Sequence, residues 1–365
     1  MSEKITILGC MSGSSLDGLD MAVCEFEGST IESIQWKCLL ADTMAYPKSL
    51  QEKLAGATSL SAKEYLELEV EFSEFCASAI LQIVEDERLE VDYVASHGHT
   101  IFHYPDLNFT AQIGSAATIA ELTGIPTINN FRANDIAKGG QGAPLAPIAE
   151  QWIYSGYDLY INLGGIANVS YHNGELITSF DSCPCNQVLN VLAKEKGLEY
   201  DSGGNIARRG TIIEEILDES LTTDYMALPA PKSLDNTWVM NDFAPSYLDQ
   251  KSAVEDRLAT MTEFIAIQLS LDIKRMTAAR PNDKLTVLVT GGGTHNKFLI
   301  ESLDMHTGDL IAIVKPDEMT INFKEAILMS FMGYLRMQKV PNTLPSVTGA
   351  SSPTLGGSLS IPLKA

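Results

Sequence analysis

Apolar residues gather in short blocks at the start of the chain, then settle into helical spacing, and the same change of rhythm comes a second time. Residues 5–8, 21–26 and 31–40 are rich in β-branched and aromatic side chains and predict three successive strands, a meander. Residues 47–55 predict a short helix and 61–86 a long one, with Ser61 as N-cap and Glu64 as its capping-box partner. Leu66, Val70, Phe72, Phe75, Ile80, Ile83 and Val84 recur at helical spacing and are expected in the core. Strands are predicted at 91–96, 110–113 and 125–129, with a helix at 115–122 that Gly124 ends. From residue 158 the pattern restarts: strand 158–163, a glycine turn, strand 176–180 and helix 187–196. A long helix at 252–277, strand 285–290, edge strand 310–314 and helix 322–338 follow. Strand, glycine turn, strand occurring twice reads as a loose internal repeat, and so as a second domain of the same kind.

The turns between these strands carry the candidate chemistry. Residues 8–20 read LGCMSGSSLDGLD. Glycines let backbone N–H groups approach an anion, serine hydroxyls donate to phosphate oxygens, and Asp17 and Asp20 suit a hydrated Mg²⁺. The turn is either a phosphate cradle or an ordinary glycine-rich hairpin. No lysine follows these glycines as a Walker loop requires, and no Gly-x-Gly-x-x-Gly opens a helix. A second glycine turn, LGGIANVS at 163–170, holds Gly164, Gly165 and Asn168; a third, at 290–296, runs Gly291-Gly292-Gly293 straight off a strand. Bare backbone there allows a base or ribose to lie close.

Other stretches offer single side chains. Residues 97–100, His-Gly-His-Thr, follow a buried strand, so His97 reads as a polar ligand contact at its edge; two histidines two apart lack the remaining ligands of a zinc site. The loop 129–147 holds Arg132 and Asp135, which either grips a carboxylate through Arg132 or forms a structural Arg132–Asp135 pair. Asp181 ends a strand and is placed as a general base. Cys183-Pro184-Cys185 does not close a tetrahedral metal site.

Bulk properties narrow the field. A chain of 365 residues with 45% hydrophobic content supports about two full cores. A formal net charge of −22 disfavours nucleic acid and anionic membranes, so any anionic ligand must be held by local features. No apolar run of about 18 residues is present to span a membrane, and the N-terminus lacks the pattern of a secretion signal. Six scattered cysteines then read as reduced cytoplasmic thiols.

The three glycine turns resemble the two phosphate hairpins and adenosine loop of the sugar kinase, Hsp70 and actin superfamily. MSGSSLDGLD, SHGHTIFH, NFRANDIAKGGQGAPL, INLGGIANVS, FDSCPCN, PAPKS, VTGGGTHN and LPSVTGAS resemble, in order, the anhydro-N-acetylmuramic acid kinase family. That resemblance implies an α/β protein of two ribonuclease H-like, actin-like ATPase domains with an interdomain active-site cleft. The first domain is expected at 1–131 plus 340–365 and the second at 132–339. It implies a cytoplasmic, dimeric enzyme of cell-wall recycling that uses ATP and Mg²⁺. Its expected activity opens 1,6-anhydro-N-acetylmuramic acid with water and phosphorylates O6. On that pattern Gly13, Ser14, Ser15, Leu16, Asp17, Gly18, Leu19 and Asp20 bind ATP phosphates, with Gly164, Gly165 and Asn168 on the second turn and Gly291, Gly292 and Gly293 on adenosine. Asp181 is the base; Thr100, Arg132 and Glu325 meet the sugar. Cys183 and Cys185 stand where the family commonly has glycines, Asn190 where an aspartate is expected, and His99 where a glutamine is expected. A non-catalytic sensor of nucleotide or muropeptide, or a kinase for a related anhydro sugar, are the alternative readings.

Overall fold

The computed structural model describes residues 4–13, 16–28, 30–174, 176–230, 232–248, 251–280 and 283–363. The chain divides into two compact units, Met1–Ser155 with Phe323–Ala365, and Gly156–Asn322. Among the described residues no helix is long and apolar enough to cross a membrane.

The first unit is built on β1 (Ile5–Ser12), β2 (Gly18–Glu27), β3 (Gln35–Ala45), β4 (Tyr93–Tyr104), β5 (Phe109–Ile113), β6 (Thr127–Asn129) and a late strand, Ser358–Ser360. β1, β2 and β3 form an antiparallel meander, while β4 and then β6 continue the sheet in parallel on the other side of β1. The second unit repeats that plan with β7 (Leu159–Leu163), β8 (Ile166–Asn173), β9 (Leu176–Pro184), β10 (Leu285–Thr290) and β11 (Ile311–Val314). β7, β8 and β9 are the meander, and β10 and β11 the parallel arm beside β7. Numbered by order of appearance in each unit, the second sheet reads third, second, first, fourth, fifth; the first reads the same through its fourth strand and then continues with β6 and the late strand, while β5 pairs with β4 off that path. Leaving β5 aside, both follow the ribonuclease H-like order of actin-like ATPases.

The expected repeat is therefore one of topology rather than of sequence, but several boundaries move. Residues 132–155 and 323–339, expected in the second domain, lie in the first unit. The reason is local bonding: Asp135 accepts from Thr348 Oγ1 at 2.8 Å, and Arg132 donates to His97. Gly9 of β1 lies so close to the helix Glu318–Met337 that a Cβ there would strike the Ala326 carbonyl and Ser330, whose hydroxyl donates to Ala22 O at 2.9 Å. Only glycine permits that approach of strand and helix.

The helix Ala62–Asp86 has the expected capping box: Ser61 Oγ accepts from the Glu64 N–H, and Glu64 Oε2 accepts from the Ser61 N–H at 2.8 Å. Its buried stripe is Leu68, Phe72, Cys76, Ile80 and Ile83. Leu66 and Val70, expected in the core, are 57% and 51% exposed, because they sit two positions off that stripe and so on the far side of a 3.6-residue turn. The loop 129–147 contains a short helix, Ala133–Ala137.

Candidate functional site

In the first unit, β1 ends at Ser12 and β2 begins at Gly18, so the connecting turn is shorter than the 13–20 expected. Ser14 and Ser15 lie outside the described residues. Gly13 accepts from the Leu16 N–H at 3.4 Å, and Leu16, at φ 57°, returns its carbonyl to Gln51 Nε2 at 2.8 Å. Asp17 O accepts from the Tyr46 N–H at 3.3 Å. Gly18, Leu19 and Asp20 are ladder residues of β2, and the Leu19 side chain is wholly buried in the core, so it faces no ligand. Asp20 stands opposite Thr43 and accepts from its hydroxyl at 2.6 Å. Burial, together with the charges of Asp17 and Glu325, pushes the Asp20 carboxyl up to about 6. Hard oxygen donors in a place already crowded with negative charge fit a divalent cation brought by phosphates. No group of three metal-ligating side chains is assembled among the described residues.

β4 extends to Tyr104, so His97, His99 and Thr100 lie within a strand rather than beyond one. Their partners differ. His97 is 4% exposed; its Nδ1 meets Gly98 O at 3.0 Å and its Nε2 accepts from Arg132 Nε at 2.9 Å. Those two bonds set the tautomer: the proton is on Nδ1. Burial and the Arg132 charge hold the imidazole down at about 3, so it is neutral. His97 therefore acts on Arg132. Its fit as a direct sugar ligand rests on the sequence pattern alone. His99 Nδ1 meets Ser12 Oγ at 2.9 Å, and Tyr46 donates its hydroxyl to the same oxygen at 2.6 Å. With the two rings tied to separate partners, the metal reading of His-Gly-His finds no support. Thr100 Oγ1 accepts from Gln112 Nε2 at 3.3 Å on β5.

Arg132 is half-buried, and its Nη1 donates to Gly142 O at 2.6 Å. The structural Arg132–Asp135 pair does not form. Asp135 is wholly buried and spends its carboxylate on the Gly142 N–H at 2.8 Å and on Thr348. The acid thus folds the glycine loop, and the loop's Gly142 carbonyl aims the guanidinium. Burial lowers Arg132 to about 10, offset in part by nearby Glu325, and it stays charged at neutral pH. Glu325 is exposed on the helix Glu318–Met337. Arg132 keeps Nη2 for a ligand, and a guanidinium edge suits a carboxylate.

In the second unit, Asp181 lies inside β9 rather than at its end. Oδ1 accepts from Asn168 Nδ2 at 2.6 Å and Oδ2 from the Leu234 N–H at 2.9 Å. The Tyr225 hydroxyl donates to Asp181 O at 2.6 Å, and the Asp181 N–H donates to Lys232 O at 3.2 Å. The expected rigid loop 229–233, whose Pro231 is outside the described residues, thus straps the strand that carries the acid. Burial pushes the carboxyl upward, and the Leu234 and Asn168 donors pull it back. A half-buried carboxylate with its orientation fixed is suited to taking a proton from water. Asn168, expected on ATP phosphate, is engaged with Asp181. The Gly164 and Gly165 carbonyls accept from the N–H groups of Asn186, Cys185 and Gln187, tying the turn to the start of the helix Asn186–Lys194. The amides of Gly164 and Gly165 are left out of those bonds.

Gly291 and Gly293 are dictated by β7: a Cβ on either would press on Leu163. At Gly292 a Cβ would meet nothing within 4 Å, so of the three it is the one open to a ligand. Cys183 and Cys185 are wholly buried free thiols in the core of this unit, and burial pushes both up. The departure from glycine there fills a core. Tyr46, Thr43, Asn162, Tyr225 and the Leu234 amide carried no sequence signal; strand pairing reveals Thr43 and Asn162, and only the folded chain brings Tyr46, Tyr225 and Leu234 to their partners.

The chain matches, over residues 5–362, the family model described as "Anhydro-N-acetylmuramic acid kinase". It is 34% identical to the anhydro-N-acetylmuramic acid kinase of Synechococcus elongatus, over 96% of this chain and 98% of that one. It is 33% identical to the protein of the same name from Aliivibrio fischeri, over 94% and 96% of the two chains. Among solved structures it is similar to the activator of 2-hydroxyisocaproyl-CoA dehydratase from Clostridium difficile, with TM-score 0.42 and 16% identity over 92% of this chain and 97% of that one. A match of this length to the family model, with relatives above 30% identity along nearly their whole length, makes this chain a member of the anhydro-N-acetylmuramic acid kinase family.

Proposed function

We propose that this chain uses ATP to open and phosphorylate 1,6-anhydro-N-acetylmuramic acid, yielding N-acetylmuramic acid 6-phosphate and ADP in the recycling of cell-wall sugar. The observation that carries the reading is Asp181, gripped by two donors yet not sealed into the core. Its carboxylate takes a proton from water as the water oxygen bonds to C1. The C1–O6 bond breaks, and O6 accepts the γ-phosphoryl group while the bridging oxygen leaves with ADP. Phosphoryl transfer of this kind depends on positioning and charge neutralisation. Mg²⁺, when bound with the nucleotide, neutralises phosphate charge, and Asp17 and Asp20 are the residues that would hold it. The backbone of the turns at Gly13, Gly164–Gly165 and Gly292 would receive the nucleotide, and Arg132, aimed by His97 and Gly142, would take the lactyl carboxylate. Thr100 and Glu325 complete the proposed sugar contacts. Cytoplasmic action and a homodimer belong to the same proposal; sedimentation would check the dimer.

The test is incubation with ATP, Mg²⁺ and the anhydro sugar, with ADP and phosphosugar followed by mass spectrometry. The reading expects ATP-dependent phosphosugar whose formation falls at least about a hundredfold in Asp181→Asn. Binding of both ligands without turnover in the parent chain would overturn it in favour of a sensor.

A further inference from the structure

The sheet of the second unit carries a row of side chains that only register brings together. Thr290 of β10 lies opposite Asn162 of β7, Asn162 opposite Asn168 of β8, and Asn168 opposite Asp181 of β9. Asn162 Nδ2 donates to Asn168 Oδ1 at 3.0 Å, and Asn168 Nδ2 donates to Asp181 Oδ1 at 2.6 Å. A primary amide has one donor end and one acceptor end. A carboxylate only accepts, so Asn168 must show it the NH₂ group and turn its carbonyl back. Asn162 must then present its own NH₂ to that carbonyl. The Asn162 Oδ1 lies toward the Gly291 turn, where a Cβ on Gly291 would approach it to 2.9 Å. The orientation of every group in the row thus follows from the acid at its end.

We infer that Asn162 and Asn168 are positioning residues for Asp181: a two-amide relay across β7, β8 and β9 that fixes which way the carboxylate faces. This rests on the reading of Asp181 as the base. The other groups around Asp181 are the Leu234 N–H, the Tyr225 hydroxyl on its carbonyl, and Lys232, whose carbonyl takes the Asp181 N–H. The Lys232 ammonium lies over the Phe180 and Tyr225 rings, 5.3 and 4.7 Å from their centroids. Each of these contacts is made by atoms other than the asparagine side chains. Each donor in the row favours the ionised carboxylate, so removing one makes Asp181 easier to protonate.

The test compares Asn168→Ala, Asn162→Ala and the double variant by two readouts. One is the pH profile of kcat/KM for the sugar. The other is direct titration of the Asp181 carboxyl by ¹³C resonance in labelled protein, which needs no activity. The relay expects both the acid limb and the titration to move to higher pH in Asn168→Ala, and less far in Asn162→Ala. The double variant should move no further than Asn168→Ala, since links in one chain are not additive. kcat should fall about ten- to a hundredfold in Asn168→Ala while the sugar KM stays within about twofold, as loss of alignment rather than of binding predicts. Asn162→Ser, which keeps a short donor on β7, guards against a folding defect and should reverse part of the shift seen in Asn162→Ala. Unchanged titration in Asn162→Ala, or additive shifts in the double variant, would overturn the relay. Full activity in Asp181→Asn would instead overturn the base, and leaves the titration result standing, so the two failures are separable.

Discussion

Asp20 and Asn168 occupy the same place in two copies of one scaffold, the third residue of the second strand, and carry opposite polarity. In the first unit the acid is on β2 and its donor, Thr43, on β3. In the second unit the donor is on β8 and the acid, Asp181, on β9. The consequences differ. Asp20 has one hydroxyl donor and two acidic neighbours, Asp17 and Glu325, and its carboxyl climbs to about 6. Asp181 is raised by burial as well, and its two N–H donors pull it only part of the way back. On the proposed function, one strand order thus supplies two kinds of acid: one for a cation, the other for a proton.

The sharpest break between them should come from Asp181→Asn. Loss of a general base costs about 10²–10⁴ in turnover, with melting temperature little changed, whereas Asp20→Asn should raise the KM for ATP and Mg²⁺ instead. Steady-state kinetics on both variants checks the contrast. Next in size is Arg132→Ala. Losing a charge-assisted contact to a carboxylate should cost roughly 2 kcal/mol or more, about thirtyfold in sugar KM, and leave the ATP KM unmoved. Equal losses for both ligands would contradict the carboxylate role.

A smaller effect concerns stability without ligands. The Asp20 carboxyl sits near 6 in the fold against an ordinary 3.8, so the folded state binds its proton more tightly than the unfolded chain. The stability this gives is present below 3.8 and lost as pH rises toward 6. Asp20→Asn should therefore raise the urea midpoint at pH 8 relative to the parent and close that gap near pH 4, a trade of stability for function. The mildest prediction is for His97. Its imidazole is held at about 3 against 6.5, so its contribution is complete above 6.5 and is lost as pH falls from 6.5 toward 3. His97→Gln should flatten the decline of the urea midpoint across that window and also raise the sugar KM, because it releases the Arg132 Nε.

Much of this architecture was legible in the chain. The meander at the chain's start, the capping box at Ser61 and Glu64, and the glycine stop at Gly124 each follow from local chemistry that tertiary contacts did not override. The second meander was read with one strand short: residues 166–173, taken with the glycine turn, form β8, held by pairing with β7 and β9. The helical face was misjudged at Leu66 and Val70 because two apolar stripes compete on that helix, and only packing chooses between them. Leu19 and Gly18 read as loop because a glycine and an aspartate flank them, yet pairing with β1 and β3 draws them into the sheet. Asp181 was visible as a lone acid and Asn168 as a residue of the second glycine turn, but not their bond; Asn162, Tyr225 and Leu234 were not visible at all. Strand register and a strap 44 residues downstream place them there, and neither leaves a mark in local sequence.

The most direct test of the central claim is the mass of the sugar product. If Asp181 primes water to open the bridge as O6 takes the phosphoryl group, the phosphosugar must carry one water more than phosphorylated anhydro sugar. Made in ¹⁸O-water, it must hold the label at C1 before anomeric exchange, and Asp181→Asn must make it at least about a hundredfold more slowly. A phosphosugar that forms without the added water, or that Asp181→Asn still makes at the parent rate, would contradict the account.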